Sequence, residues 1–124
     1  METEEFNRDF VEDGMAIYEY IVDNAESDNL QMGDVIMKLK SVDTTGQFFA
    51  SAARYLAALD RPRFEQWLGQ LVECAIEKDR DRRYIGSLLE ALWGADYKER
   101  AEELKVTDDN FRRIYKRLHE SSVI

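Results

Sequence analysis

The sequence predicts an all-α protein: a compact bundle of about six or seven helices that ends in a helix-turn-helix. Apolar residues recur at helical spacing along nearly all of the 124-residue chain, and no segment alternates with the period of a strand. One proline and six glycines leave few residues for a succession of turns. Because 44% of the residues are hydrophobic, the chain is long and apolar enough to bury one core.

Three helices are predicted in the first half of the chain. The first covers about residues 3–24, with one apolar stripe: Phe6, Phe10, Ile17, Tyr18 and Ile21. A loop at residues 25–29 precedes a shorter helix that fades toward Val42 and has its own stripe: Leu30, Met32, Val35, Ile36 and Leu39. Asp43, Thr44 or Thr45 can cap a third helix that runs to Leu59, since short oxygen-bearing side chains satisfy free amides at helix starts.

The clearest boundary is at Asp60-Arg61-Pro62, because an acidic cap followed by proline is a typical helix start. It separates an acidic N-terminal helical region, residues 1–60, from a C-terminal helical region, residues 61–124. The next predicted helix buries a stripe at helical spacing: Phe64, Trp67, Leu68, Leu71, Val72 and Ala75. Cys74 lies beside this stripe and is expected to be a small core residue. After a charged break at residues 78–83, a further apolar stripe ends at Gly94: Ile85, Leu88, Leu89, Leu92 and Trp93.

Charge is distributed unevenly along the chain, whose formal net charge is −9. Residues 1–30 hold ten acidic residues and one arginine, Arg8, whereas residues 31–124 hold 16 basic and 16 acidic residues. Because salt screens exposed charges beyond about 8 Å, an acidic first helix need not cancel a distant basic one. It would still lower nonspecific attraction to nucleic acid.

Several classes of function are not expected. A single cysteine excludes an intrachain disulfide, no apolar run is long enough for a membrane span, and the acidic start does not resemble a signal peptide, so a cytoplasmic location without membrane contact is expected. No pattern of side chains suggests a metal site, a cofactor or an enzyme. His119 near Arg112 or Arg113 resembles the arginine–histidine spacing of HEPN-type helical nucleases, but a solvated histidine near a helix end is the simpler interpretation.

The last segment predicts a helix-turn-helix at residues 95–119. Seven apolar positions would let two short helices share a core across a three-residue turn: Ala101, Leu104, Val106, Phe111, Ile114, Tyr115 and Leu118. Four basic residues fall between them on the second helix: Arg112, Arg113, Lys116 and Arg117. A basic second helix in this motif is suited to the major groove of DNA. The same pattern is also typical of a solvated outer helix in a bundle.

The segment after Gly94, residues 95–118, resembles the C-terminal promoter-binding region of bacterial RNA polymerase sigma factors. Residues 97–104 read YKERAEEL, and residues 107–118 read TDDNFRRIYKRL. The resemblance implies that Thr107 caps the recognition helix and contacts DNA with it. It also implies that Asn110, Arg112 and Arg113 face bases or phosphates, and that Lys116 and Arg117 lie on the backbone side.

Two residues depart from the family's pattern. Arg100 stands where the family usually buries an aliphatic residue, and Lys105 replaces a glycine of the turn. Lys105 must therefore tolerate a strained backbone, or the turn must differ. Upstream, residues 34–39, and residues 64–68 together with 79–83, are similar to parts of a second sigma region, although residues 53–61 compete for the same assignment.

These observations lead to one expected function and an alternative. The first is a noncatalytic, sigma-factor-like transcription regulator that binds DNA, RNA polymerase or both. The alternative is an acidic helical protein-interaction module (an inhibitor, adaptor or DNA mimic) that docks a protein at the acidic face of residues 1–30. In a third arrangement, the acidic first helix covers the basic final helix and closes the DNA site. A solvated face remains the simplest interpretation of the acidic helix.

Overall fold

A computed structural model describes the backbone of residues 3–28 and 30–119, and the side chains from residue 13 onward within those ranges. All of its regular elements are helices: α1 Thr3–Asn24, α2 Met32–Val42, α3 Gln47–Lys78, α4 Gly86–Trp93, α5 Ala101–Thr107 and α6 Asp109–His119. The all-α bundle of about six helices is therefore confirmed. Among the described helices, none combines the length and apolarity needed to cross a membrane.

The first two helices pack against each other and against α3. Ile21 of α1 is fully buried, and the predicted stripe of α2 is buried at Met32, Val35, Ile36 and Leu39. A Cβ built on Gly14 would lie 2.6 Å from the Phe48 ring, so α1 approaches the start of α3 closely. Phe6 and Phe10, the first two predicted core positions, lie outside the residues whose side chains are described.

The third helix folds back on itself at Asp60, which is the one residue of α3 with non-helical backbone angles. A straight helix of 32 residues would separate its ends by about 48 Å. Instead, Gly46 at its start lies so close to its end that a Cβ there would be 2.9 Å from the Ala75 carbonyl oxygen. The Arg63 N–H donates to Asp60 Oδ1 at 3.3 Å, so the aspartate caps the second arm, as the Asp60-Arg61-Pro62 signal predicts.

Two buried aspartates hold the loops at this end of the molecule. Asp43 is 1% exposed and accepts hydrogen bonds from four backbone N–H groups: those of Thr45, Gly46, Phe48 and Phe49. Asp79 is 2% exposed and accepts three, from Arg83, Tyr84 and Ile85. Each carboxylate thus satisfies the free amides at the start of a helix, α3 for Asp43 and α4 for Asp79. Of the three predicted caps for α3, Asp43 makes most of these hydrogen bonds.

The last helices complete a single hydrophobic core to which all six helices contribute. α4 ends at Gly94, whose φ of +98° suits glycine, and residues 95–100 form turns. α6 packs on α3 and α4 and buries Phe111 and Ile114 completely, whereas α5, among the described helices, packs only on α6. Val106, predicted as a shared core position, is 85% exposed, so that prediction was wrong. Its position in the last turn of α5 turns it away from α6.

Candidate functional site

The link between α5 and α6 differs from the predicted three-residue turn. α5 continues through Lys105, Val106 and Thr107, and Asp108 alone joins it to α6 in an extended conformation. Among described non-glycine residues only Arg82 has a positive φ, so Lys105 does not adopt the strained turn geometry. Without a glycine at position 105, no residue here takes a left-handed conformation at low cost, and the helix continues.

Asp108 caps α6, in place of the predicted Thr107. The Phe111 N–H donates to Asp108 Oδ1 at 3.2 Å, and the Trp93 indole N–H donates to Oδ2 at 2.9 Å. The Thr107 hydroxyl instead donates to the Glu103 carbonyl oxygen at 3.1 Å, within α5. An aspartate has two oxygens and can hold both donors, whereas the threonine has one hydroxyl and stands one residue too early.

Three of the six predicted DNA-contacting residues face α3. Asn110 Nδ2 donates to the Gly69 carbonyl oxygen at 3.2 Å, and Arg113 Nη1 lies 3.9 Å from Glu73 Oε2. Arg117 donates to the carbonyl oxygens of Ile76, Asp79 (at 3.1 Å) and Arg80, at the carboxyl end of α3. Residues 110, 113 and 117 form one stripe of α6, and it runs beside the second arm of α3. These three side chains form a polar seam that attaches α6 to α3.

The remaining two predicted residues lie on the exposed stripe of α6, which also carries Asp109 and His119. Arg112 is exposed and forms an ion pair with Asp109 one turn earlier in the same helix. Lys116 is exposed, and its side chain has no hydrogen bond or salt bridge with another described residue. The His119 ring packs on Tyr115 with the ring centroids 4.4 Å apart. The structure therefore brings Arg112 and Lys116 together on one outward face.

The turn before α5 accommodates an arginine where the sigma pattern has a buried aliphatic residue. Arg100 is half-buried, its Nε lies 3.4 Å from Asp96 Oδ1, and its guanidinium donates to the Trp93 carbonyl oxygen. On the other side of α5, Lys105 pairs with Glu102 at 3.1 Å and lies over the Tyr115 ring. Charged side chains therefore lie on both sides of α5 where it packs on α6.

The acidic face of α1 is open to solvent along the described side chains. It carries the exposed carboxylates of Asp13, Glu19 and Asp23, and those of Glu26 and Asp28 follow in the turn after α1. Beside it, α1 and α2 enclose a groove of about 350 Å³ whose apolar lining includes Ile17, Tyr20 and Val35. Among the described residues α1 contacts α2 and α3 but not α6, so the closed arrangement of acidic and basic helices is not present.

A second group of basic side chains lies in the loop between α3 and α4. Arg80, Arg82 and Arg83 are all exposed, and Arg82 Nη1 donates to the Arg117 carbonyl oxygen at 3.2 Å. This contact places the loop next to the carboxyl end of α6, close to Lys116. The sequence run DRDRR at residues 79–83 signals the charge, but only the fold shows its position beside α6.

The described residues contain no group of three or more side chains suited to a metal ion. Burial raises the pKa of the Cys74 thiol; Glu77 and Glu73 act in the same direction, while Lys40 and Lys78 oppose them. This thiol is therefore a poor nucleophile. No protein-family model, curated protein or solved structure matches the chain.

Proposed function

We propose that the protein is a noncatalytic, sigma-factor-like transcription regulator that binds duplex DNA, RNA polymerase or both, and that the exposed stripe of α6 is its DNA-binding surface. The observation that carries the proposal is the outward position of Arg112 and Lys116. The rest of the helix is fixed by its buried core residues and by the polar seam with α3. A rigidly held helix with an exposed cationic stripe is suited to the major groove.

The dimensions and surroundings of α6 are compatible with this role. With 11 residues the helix is about 16 Å long, and the major groove, about 12 Å wide, admits a helix. Among the described residues α6 is the one helix that α5 contacts, so α5 lies at the edge of the bundle. α6 carries four basic residues and one acidic residue, and within the described part of the chain it does not contact the acidic α1.

Under this proposal the predicted contacts fall into two groups with different roles. Arg112 and Lys116 would contact DNA, and the fork of Arg112 keeps N–H groups beyond those that Asp109 accepts. Thr107, Asn110, Arg113 and Arg117 would act through the fold, since their polar groups already have partners in α5 or α3. The proposal therefore predicts that DNA affinity and stability respond to different substitutions.

Fluorescence anisotropy with a labelled duplex at several salt concentrations tests the proposal. Wild type should bind, with an affinity that falls steeply as salt rises, and the double variant R112A/K116A should reduce the slope of log affinity against log salt by about 2. The matched control is K38A/K98A, which removes the same charge from two other exposed positions, on α2 and in the turn before α5. Equal losses in both double variants, or no wild-type binding at low salt, would reject DNA binding by α6.

A second candidate function is an acidic protein-interaction module, favoured by the exposed carboxylates of α1 and the groove beside them. Its partner would present a basic surface. Pull-down with the full chain as bait separates the two candidates. The interaction module requires a captured partner that E19Q/D23N loses and R112A/K116A retains; the opposite pattern favours the α6 surface.

A further inference from the structure

A polar groove of about 320 Å³ lies between the loop that precedes α3 and the loop that follows it. Its lining includes Thr44, Thr45, Lys78, Arg80, Arg83 and Tyr84. We propose that this groove, called here the loop groove, binds a phosphate group. The proposal does not depend on DNA binding by α6, because it concerns different side chains.

The principal acceptor in the loop groove is already used by the protein. Asp79 is buried, and its two carboxylate oxygens accept N–H groups from Arg83, Tyr84 and Ile85 at 2.6–2.9 Å. A carboxylate satisfied in this way is directed into the loop backbone. Asp43 is held in the same manner by the start of α3. The buried acids therefore shape the groove and do not compete for cations inside it.

The donors, in contrast, remain available. Lys78 Nζ donates to the Lys40 carbonyl oxygen at 2.6 Å, which leaves two of its three N–H groups. Within the described part of the chain, the Arg80 and Arg83 guanidinium groups have neither a salt bridge nor a hydrogen bond. The Thr45 hydroxyl accepts from the Gln47 N–H at 3.3 Å and keeps its own proton to donate. The groove thus offers three cations and a hydroxyl donor to one ligand.

Phosphate matches this set because it is an anion whose several oxygens accept hydrogen bonds, and arginine binds it through two parallel N–H groups. The groove volume is at the lower end of the range for small-molecule sites, about 300–1,000 Å³. It accommodates a phosphate with an attached organic group. The phosphate can come from a free nucleotide or from a nucleic-acid backbone, and the chemistry of recognition is the same.

One exposed side chain opposes the ligand. Asp81 lines the loop groove and is exposed, so its negative charge repels phosphate at short range. Neutralising it should strengthen binding, whereas neutralising Arg80 or Arg83 should weaken it. All three side chains are exposed, so these substitutions should leave the fold intact.

The test is an NMR titration of the full, ¹⁵N-labelled chain with inorganic phosphate, with adenosine monophosphate and with a short duplex that lacks terminal phosphates. Saturable shifts are expected for amides of residues 44–45 and 80–84. R80Q and R83Q should each weaken the affinity about fivefold, and D81N should strengthen it by a similar factor. K98A, which removes an exposed cation elsewhere, should leave the affinity unchanged.

The three probes identify the source of the phosphate. Tighter binding of adenosine monophosphate without competition from the duplex assigns the groove to small phosphorylated molecules. Competition by the duplex that R80Q and R83Q remove assigns it to backbone phosphates. If no probe gives saturable shifts at these amides, or if R80Q, R83Q and D81N all leave the affinity unchanged, the groove is not a phosphate site. Since R112A/K116A leaves the loop groove unaltered, failure of DNA binding by α6 is distinguishable from failure here.

Discussion

Replacing Arg117 by alanine should lower the free energy of unfolding, and this loss should be larger than the loss in the free energy of DNA binding. The resemblance to sigma factors assigns this residue to the DNA backbone, whereas in the structure its guanidinium donates to the Ile76 carbonyl oxygen in the last turn of α3 and to those of Asp79 and Arg80 just after the helix. The terminal carbonyls of a helix have no partner within the helix and carry partial negative charge. Arg117 therefore acts as a side-chain cap supplied by another helix.

The expected loss follows from these contacts. A hydrogen bond from a charged donor contributes about 1.5–3 kcal/mol when buried, and a cation at a helix end contributes about 0.3–1 kcal/mol. Arg117 is half-buried, so solvent reduces these contributions, and we expect Arg117→Ala to lower the free energy of unfolding by about 2 kcal/mol. The neighbouring exposed Lys116 is the matched control: Lys116→Ala should change the free energy of unfolding by less than about 0.5 kcal/mol.

Urea unfolding monitored by circular dichroism measures both changes. At an m-value of about 1–3 kcal/mol/M, Arg117→Ala should lower the midpoint by about 1 M. Arg117→Lys should give an intermediate value, because lysine retains the charge but loses the planar fork. Should Arg117→Ala leave the midpoint unchanged while weakening DNA binding as much as Lys116→Ala does, the capping role would be refuted.

Three further predictions concern the buried parts of the fold. Asp79→Ala should lower the free energy of unfolding by about 3 kcal/mol in urea, because three backbone N–H groups lose their acceptor; a change below about 1 kcal/mol would contradict this. Gly46→Ala should lower the free energy of unfolding by about 2 kcal/mol, since φ is +85° and the new Cβ would meet the Ala75 carbonyl oxygen. Thermal unfolding measures this loss, and the control is Gly33→Ala, whose new Cβ would meet no other atom within 4 Å. Cys74 should react with a thiol reagent at pH 8 far more slowly in the folded than in the unfolded chain. Equal reaction rates in the folded and unfolded chains would contradict the burial of this thiol. Because burial raises the pKa of the Cys74 thiol in the folded state, the contribution of this group to stability should be complete below the ordinary thiol pKa of 9.0 and should fall as the pH rises above that value.

Much of the helical layout could be predicted because its signals are local. Asp60-Arg61-Pro62 marks the break in α3, and Gly94 marks the end of α4, since capping and backbone freedom depend on adjacent residues. The buried stripes of α2 and of the second arm of α3 likewise follow from periodicity alone.

The candidate site was less predictable because its polar contacts join distant parts of the chain. Arg113 and Arg117 are identical in type to Arg112, and only the packing of α6 beside α3 separates seam residues from exposed ones. The cap on α6 is Asp108 and not the predicted Thr107, and Asp108 is also held by the Trp93 indole N–H, a contact that local sequence does not reveal. Spacing offered a partial signal, since residues 110, 113 and 117 share one helical stripe.

Among the described helices α5 packs only on α6, and this affects the dynamics of the molecule. A helix of seven residues is too short to persist alone in water, so its stability depends on its contact with α6. Detachment of α5 would expose Ala101 and Leu104 together with the face of α6 that they cover, while the contacts of α6 with α3 and α4 would remain. Its amides should therefore exchange with deuterium through a local opening of low free energy, well before those of the adjacent α6. The helix proposed to contact DNA would then have a rigid support on its α3 side and a readily detached one on the other.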